Sequence, residues 1–311
     1  MGNTLTDLFQ QKVVPGLYQQ YYQGVTSGWM ENNAIGVTYT GGKYVVMHEL
    51  SVDGLGDYDR NLGYPRGVIT GSKKQYELTK DRGREFLIDA ADNDETGFLV
   101  TGASAMAQFQ QDHVIPEVDS VRYSEIYKQV LAGAAANVVA TDIDSSKMVD
   151  TLVDDIADIR DVVGSVPLVI VMSGLVQKYF GRDFQRMLDY VAMASGTLNT
   201  KVRAIDGNPF IIVPSARLKT AYDVYDGVTA GQEAGGFAAA GGAADMKWII
   251  TPVTGPIAVA KIDKMRAFSP DEYQQAHAWK VDYRLYHELW MTPKAYNNTI
   301  IRTGDIVDPV V

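Results

Sequence analysis

The four histidines are the side chains most able to bind a metal or transfer a proton near neutral pH. They are His48, His113, His277 and His287, and none stands in a HExxH, HxH or comparable ligand spacing. The pattern around them puts His113 on a helix face and His287 on the apolar face of a strand. We therefore predict structural histidines with satisfied hydrogen bonds.

Two acidic runs could supply carboxylates to calcium, VDGLGDYD (52–59) and DAADNDE (89–95). Neither keeps the D-x-[DN]-x-[DN]-G-x5-E spacing of a calcium loop, so solvated turns or charge pairs between subunits are the expected roles. The stretch GGFAAAGG lacks the strand–GxGxxG–helix context of a phosphate loop. No GxSxG nucleophile elbow occurs. The sequence thus predicts no catalytic site, cofactor or metal.

Composition narrows the possible partners. The chain has 311 residues, a formal net charge of -10 and no cysteine. An acidic chain has no bulk attraction to nucleic acid, and a chain without cysteine forms no disulfide or thiolate site. The N-terminus does not resemble a secretory signal, and no apolar run approaches the ~20 residues that span a bilayer. We predict no membrane association.

The longest strand signal is FSPDEYQQAHAWKVDYRLYHELW (268–290), which alternates after a turn. Successive side chains of a strand point to opposite faces, so the pattern predicts one apolar face and one charged face. The apolar face comprises Trp279, Val281, Tyr283, Leu285, His287 and Leu289.

A second extended region spans residues 43–90. Residues 43–52 predict a strand, 53–74 are rich in turn residues, and 75–90 alternate again. We interpret the region as one two-stranded hairpin. An isolated hairpin is marginal in water, so this one is expected to pack on another subunit.

The other elements follow from periodicity and turn residues. The segment 4–22 predicts short helices interrupted at Pro15, and 103–133 a helix broken at Pro116. The further predictions are a strand at 35–40, a helix at 145–162 with Ser145 or Ser146 as N-cap, a buried strand at 167–174, a helix at 175–190, a hairpin at 202–214, an exposed flexible Gly/Ala loop at 227–245, and strands in KWIITPV and PIAVAKIDKMRAF.

Four stretches in this order carry a family resemblance. They are KDRGREFLIDAADNDE (80–95), FQQDHVIPEVDSVRYSEI (109–126), RAIDGNPFIIVP (203–214) and the region from Trp248 to Trp290. Over roughly residues 43–302 the chain resembles the major capsid proteins of tailed bacteriophages, in particular a group found in phages of Gram-positive bacteria.

The resemblance implies an α+β phage major capsid (Johnson) fold. Its parts would be an N-terminal arm (1–42), an extended loop forming a two-stranded hairpin (43–92), a peripheral domain with its spine helix (93–139), an axial domain (140–250) and C-terminal strands that return to the peripheral domain (251–311). The long strand at 268–290 would pack its apolar face against the spine helix.

The implied function is structural. Copies would assemble into hexamers and pentamers of an icosahedral head that encloses double-stranded DNA. Expected partners are other copies, a portal protein, a separate scaffolding protein and a possible decoration protein. Packaged DNA would be contacted only non-specifically. The protein would assemble in the host bacterial cytoplasm and reside in the virion capsid. Candidate contacts between subunits are Asp57, Arg60, Arg66, Arg82 and Arg84.

Three alternatives remain open at the level of sequence. An encapsulin-type shell would keep the fold and enclose a cargo protein. A tail or baseplate component would also be structural. A hydrolase or transferase with an acidic active site would require a deep pocket with coupled carboxylates.

Overall fold

The computed structural model describes residues 9–34, 37–39, 42–60, 63–89, 95–180, 189–195, 198–205 and 207–308. Within these ranges the helices are α1 (Val14–Gly24), α2 (Glu95–Phe109), α3 (Ile115–Gly133), α4 (Met148–Val163) and α5 (Pro293–Asn297). The strands are β1 (Thr38–Tyr39), β2 (Tyr44–Val52), β3 (Ile69–Glu77), β4 (Lys80–Asp89), β5 (Val138–Val139), β6 (Ile143–Asp144), β7 (Leu168–Ser173), β8 (Asp189–Ser195), β9 (Leu198–Ile205), β10 (Asn208–Val213), β11 (Tyr222–Val224), β12 (Phe237–Ala239), β13 (Trp248–Pro252), β14 (Pro256–Phe268), β15 (Ala278–Met291), β16 (Ile300–Arg302) and β17 (Ile306–Val307).

The longest helical segment joins α2 and α3 through a π-helical turn at Gln110–Val114, and we call all three parts the spine helix. The break predicted at Pro116 is wrong in position, because Pro116 lies in the first turn of α3. A proline is tolerated there, since the first backbone N–H groups of a helix lack internal partners. The wider π turn just before it takes up the irregularity. The helix also begins at Glu95, earlier than predicted.

The N-terminal segment shows the same arrangement. A π turn at Phe9–Val13 precedes α1, and Pro15 lies in the first turn of α1 rather than interrupting it. Within the predicted strand 35–40, Thr38 and Tyr39 form β1.

The peripheral sheet has the strand order β14–β15–β4, and all pairs are antiparallel. The predicted apolar face of β15 is confirmed, because all six of its side chains are buried. Trp279, Val281, Tyr283 and Leu285 share one hydrophobic cluster with residues of α1 and the spine helix, including Ile115 and Val118. The predicted packing of this strand on the spine helix is therefore confirmed as well.

The prediction of a single hairpin over 43–90 is wrong in its second half. β2 pairs with β3, which starts at Ile69, inside the predicted turn region. The chain then changes sheets at Leu78 and Thr79, and β4 pairs with β15. The Glu288 carboxylate accepts hydrogen bonds from the backbone N–H and the hydroxyl of Thr79, which fixes this crossover on the peripheral sheet.

The axial region is built on a sheet whose described strands run β5–β16–β13–β7–β10–β9–β8. Every residue of β7 is buried, as predicted for the apolar run at 167–174. One hydrophobic cluster packs α4 on this sheet, and another packs the sheet on the spine helix. The predicted hairpin at 202–214 is confirmed as β9 and β10, with Gly207 at φ 76° in the turn. The predicted strands β13 and β14 are confirmed too.

Three local predictions need correction. Asp144, not Ser145 or Ser146, caps the 3-10 turn before α4, and its carboxylate accepts the Ser146 backbone N–H at 2.9 Å. The helix predicted at 175–190 is not seen in the described residues. Val176–Tyr179 form a 3-10 turn, and residues 189 and 190 belong to β8. Residues 181–188 lie outside the described part of the chain. Within the Gly/Ala segment predicted as an exposed loop, Phe237–Ala239 form β12, which pairs with β11 just before the segment, and the remaining residues lie mostly in turns and bends.

A buried charged cluster ties the N-terminal segment to the spine helix. The fully buried Asp119 carboxylate accepts hydrogen bonds from the backbone N–H and hydroxyl groups of Thr26 and Ser27, at 2.7–3.2 Å. Arg217 also donates to it, at 3.3 Å. One turn later the buried Arg122 donates to Glu31 at 2.6 Å. Burying these charges is tolerable because each has opposite charges or hydrogen-bond donors around it.

Removing Asp119 should therefore destabilise the chain strongly. We expect Asp119→Ala to lower the free energy of unfolding by about 3–5 kcal/mol, because it leaves buried donors and Arg217 without their acceptor. Urea unfolding measures this. The control Asp154→Ala, on the exposed side of α4, should change stability by less than about 0.5 kcal/mol. Equal effects of the two variants would contradict the assigned role of the cluster.

A second carboxylate, which is partly buried, lies where α1 packs on β14. The Tyr18 hydroxyl donates to the backbone carbonyl of Asp263 at 2.8 Å. Burial raises the pKa of the Asp263 carboxyl to about 6. Because this pKa is higher in the folded chain than in the unfolded chain, the folded state binds more protons between about pH 4 and pH 6. The contribution of Asp263 to stability therefore falls as pH rises through that window.

Asp263→Asn should remove this penalty. We expect the variant to unfold at a higher urea concentration than the natural chain at pH 7.5, by about 1–3 kcal/mol in free energy, and the difference to shrink below pH 5. Urea titrations across pH 4.5–8 measure it. An identical pH dependence of the two proteins would show that Asp263 is not the titrating group.

Candidate assembly surfaces

The hairpin of β2 and β3 is largely exposed beyond its base. Its strands pair over nine residues each, from Tyr44 opposite Glu77 to Val52 opposite Ile69, a length of roughly 30 Å at about 3.4 Å per residue. Among the described residues, its contacts with the peripheral sheet lie at its base. Val45 is buried in a small cluster with residues of β14 and β15, and the Tyr76 ring lies 5.2 Å from that of Trp290.

Apolar side chains continue beyond this anchored base toward the tip, which we define as residues 50–69. Leu50 is 75% exposed, Tyr58 59% and Tyr64 85%. A run of apolar groups this exposed marks an interaction surface on a soluble protein. The other large apolar side chains exposed there are Val52, Leu55, Val68 and Ile69.

The tip has local order of its own. The Asp53 carboxylate accepts the Val68 backbone N–H at 2.7 Å, and the rings of Tyr58 and Tyr64 lie 4.9 Å apart. The tip is thus folded back on itself while its apolar groups face outward.

The five predicted contact residues fall into two groups. Asp57, Arg60 and Arg66 lie at the tip and are exposed. Arg82 and Arg84 lie on β4, in the peripheral sheet, and not on the hairpin. Their role between subunits stays a prediction.

Arg82 is held within its own chain. Its guanidinium makes a bidentate pair with Glu117 of the spine helix, at 2.6 and 3.2 Å. It also donates to the backbone carbonyls of Tyr225 at 2.6 Å and Gly236 at 3.3 Å. Arg82 therefore links the peripheral sheet, the spine helix and the β11–β12 hairpin. The sequence could have indicated where Arg82 points, because side chains alternate along a strand and residues 82, 84, 86 and 88 therefore lie on one face of β4.

Arg84 differs from its neighbour. It is exposed and donates a long 3.5 Å hydrogen bond to the Glu233 backbone carbonyl. In the described part of the chain no carboxylate forms an ion pair with Arg84. The guanidinium therefore keeps donors available for a partner.

The histidines only partly match the prediction. His113 and His277 are exposed, and the side chain of His48 lies outside the described residues. His287 is buried, but its Nδ1 has no hydrogen-bond partner among the described groups, so the prediction of a satisfied histidine is wrong there. Burial, with nearby Arg122, Lys80 and Arg82, lowers the pKa of His287 to about 3, which keeps the ring neutral at pH 7.

Two searches of the described residues bear on other kinds of site. They hold no group of three or more histidine or acidic side chains placed to bind a metal. No helix in the described ranges is long and apolar enough to cross a membrane.

Comparison with known proteins rests on structure alone, because no protein-family model and no curated protein matches the sequence. The mature capsid of bacteriophage PhiM1 superposes with a TM-score of 0.54 at 12% identity, covering 85% of this chain and 82% of that one. The capsid of Staphylococcus phage Andhra superposes with a TM-score of 0.51 at 10% identity, covering 86% of this chain and 82% of that one. The capsid of cyanophage P-SCSP1u superposes with a TM-score of 0.50 at 10% identity, covering 87% of this chain and 86% of that one. The chain has the α+β fold of tailed-phage major capsid proteins.

Replacing Arg82 should loosen the junction of sheet, helix and hairpin. We expect Arg82→Gln to lower the free energy of unfolding by about 1–3 kcal/mol, because charge-assisted hydrogen bonds are lost at a partly buried site. Urea unfolding of the subunit measures it. Arg60→Gln, at the exposed tip, is the matched control and should have an effect below about 0.5 kcal/mol. If Arg82→Gln left the free energy of unfolding unchanged, the hydrogen bonds of Arg82 would not be what holds the junction.

Proposed function

We propose that this chain is the major capsid protein of a tailed phage. Copies of it assemble into the hexamers and pentamers of an icosahedral head that encloses double-stranded DNA. The observation that carries the proposal is the hairpin tip, whose apolar side chains are exposed on a chain with a phage capsid fold. A partner surface is needed to bury them.

The parts of the chain would divide the work. The N-terminal arm (1–42) and the extended loop would reach other copies, and the axial domain (140–250) would form the centre of each capsomer. We propose that the extended loop ends near residue 77 rather than at 92, because β3 pairs with β2 whereas β4 pairs with β15. Residues 78–139 and 251–311 would form the peripheral domain, apart from β5 and β16, which pair in the axial sheet.

The charge of the chain suits a container. A subunit with a net charge of -10 does not hold packaged DNA tightly, because DNA affinity depends on neutralising phosphates. We propose contacts with packaged DNA that are only non-specific. A portal protein, a separate scaffolding protein and a possible decoration protein complete the proposed partners. Assembly would take place in the host bacterial cytoplasm, and the product would be the virion capsid.

The alternatives find less support. The three structures compared above are described as phage capsids, which favours a phage head over an encapsulin-like cargo shell or a tail or baseplate component. We propose no catalytic role for the chain.

The tip can be tested by removing its apolar groups. We expect Leu55→Ser combined with Tyr64→Ser to lower the yield of shells at least about tenfold, because the surface that a neighbour would cover becomes polar. Negative-stain microscopy and sedimentation measure shells. The melting temperature of the subunit should stay within about 2 °C, since exposed side chains contribute little to the fold.

The control is Leu131→Ser, which removes an exposed leucine from the spine helix instead. It should leave the yield of shells within about twofold of that of the natural chain. Normal shells from the tip variant, or a natural protein that forms no closed particles at any concentration, would contradict the proposal.

A further inference from the structure

A cavity of about 220 Å³ lies between β4, the spine helix and the turn of the β11–β12 hairpin. We call it the β4 cavity. It is half open, and side chains of β15 complete its wall. Its lining includes Phe86, Phe109, Val118, Tyr283, Leu285 and His287, with Arg84 also on the wall.

The inner wall is aromatic. The Phe109 ring stands edge-on to Phe86 at 5.1 Å and to Tyr283 at 6.2 Å, measured between ring centroids. Rings in such edge-to-face arrangements stabilise a further ring placed beside them. An apolar cavity of about 150 Å³ is known to hold benzene, so this cavity has room for one phenol ring.

One cation on this wall, Arg84, keeps hydrogen-bond donors available. Arg82 is neutralised by its bidentate pair with Glu117. The oxygens of Asp226 accept hydrogen bonds from Val228 and Thr229 in its own turn, and these bonds lower the Asp226 pKa to about 2. Arg84 forms no ion pair with a described carboxylate. The cavity is therefore suited to an aromatic ring accompanied by a carboxylate.

The chain displays that combination at its hairpin tip. Asp57 directly precedes Tyr58, whose ring is 59% exposed, and Asp57 is itself exposed. No described residue of the hairpin lines the β4 cavity of its own chain. A tip that enters this cavity would therefore belong to another copy.

We propose that the Tyr58 ring of one copy enters the β4 cavity of the next copy, where Asp57 pairs with Arg84. This inference rests on the proposed self-assembly and names the surface that receives the hairpin tip. The contact joins two different patches, tip and cavity, and so is a head-to-tail interface. Repeated around an axis, head-to-tail contacts close into rings, which is the symmetry that hexamers and pentamers need.

Charge reversal tests the pairing. Asp57→Arg alone would face Arg84, and Arg84→Asp alone would face Asp57, so each should lower the yield of shells at least about tenfold. The double variant restores opposite charges and should recover the yield to within about threefold of the natural chain. The control combines Asp57→Arg with Arg66→Asp. It has the same net charge as the double variant but leaves Arg84 in place, and it should not recover.

Cross-linking gives a second readout that does not depend on reversing charges. The chain has no cysteine, so Asp57→Cys with Arg84→Cys introduces two unique thiols. A short bis-maleimide reagent should join successive subunits of assembled particles into a ladder on denaturing gels. Arg60→Cys with Asp154→Cys is the control and should give no ladder.

The outcomes separate this inference from the proposed function. Rescue by the charge-swapped pair together with a ladder supports the contact. The contact is overturned, and the capsid function is not, if the natural chain forms shells but the charge-swapped pair does not recover the yield. The same conclusion follows if the single reversals leave the yield unchanged, or if shells of the double-cysteine variant give no ladder. A natural protein that forms no shells overturns both.

Discussion

A two-stranded ribbon cannot bury both of its faces within itself, and this constraint shapes the whole account. The β2–β3 hairpin pairs its two strands over nine residues but leaves large apolar side chains, such as Leu50 and Tyr64, in contact with solvent. Leaving apolar area in water is unfavourable by roughly 25 cal/mol per Å². The hairpin therefore makes physical sense as part of a larger assembly, in which a second surface covers it.

The rest of the chain provides a rigid base for this hairpin. The buried cluster of Asp119 and Arg122 ties the N-terminal segment to the spine helix, and β15 packs its apolar face on that helix. Glu288 then holds Thr79, where the chain leaves the hairpin for the peripheral sheet. The hairpin thus projects from a well-packed junction, so its direction is set by the core. A fixed direction is what a repeating head-to-tail contact requires.

Elements with strong local patterns could be predicted from the sequence. The alternation of β15, the apolar run of β7 and the turn between β9 and β10 each follow from nearby residues. The pairing of β4 could not be predicted, because its partner lies about 200 residues away in sequence and a strand pattern does not name its neighbour. The strand β12 within the Gly/Ala segment could not be predicted for a related reason. The segment's glycines at positive φ, such as Gly227 and Gly235, serve turns of a hairpin that Arg82 holds from a distant strand. The candidate contacts at the tip followed from interpreting the segment as an extended loop, whereas the aromatic cavity could be found only in the folded chain.

Hydrogen exchange tests the central claim most directly. The amides of the tip, residues 50–69, should exchange quickly in dilute subunits and at least about tenfold more slowly in assembled particles, because a neighbouring copy covers them. Amides of buried β7 serve as the internal reference and should be protected in both forms. Equal exchange at the tip in both forms would contradict the account, since the exposed hairpin would then have no covering surface in the assembly.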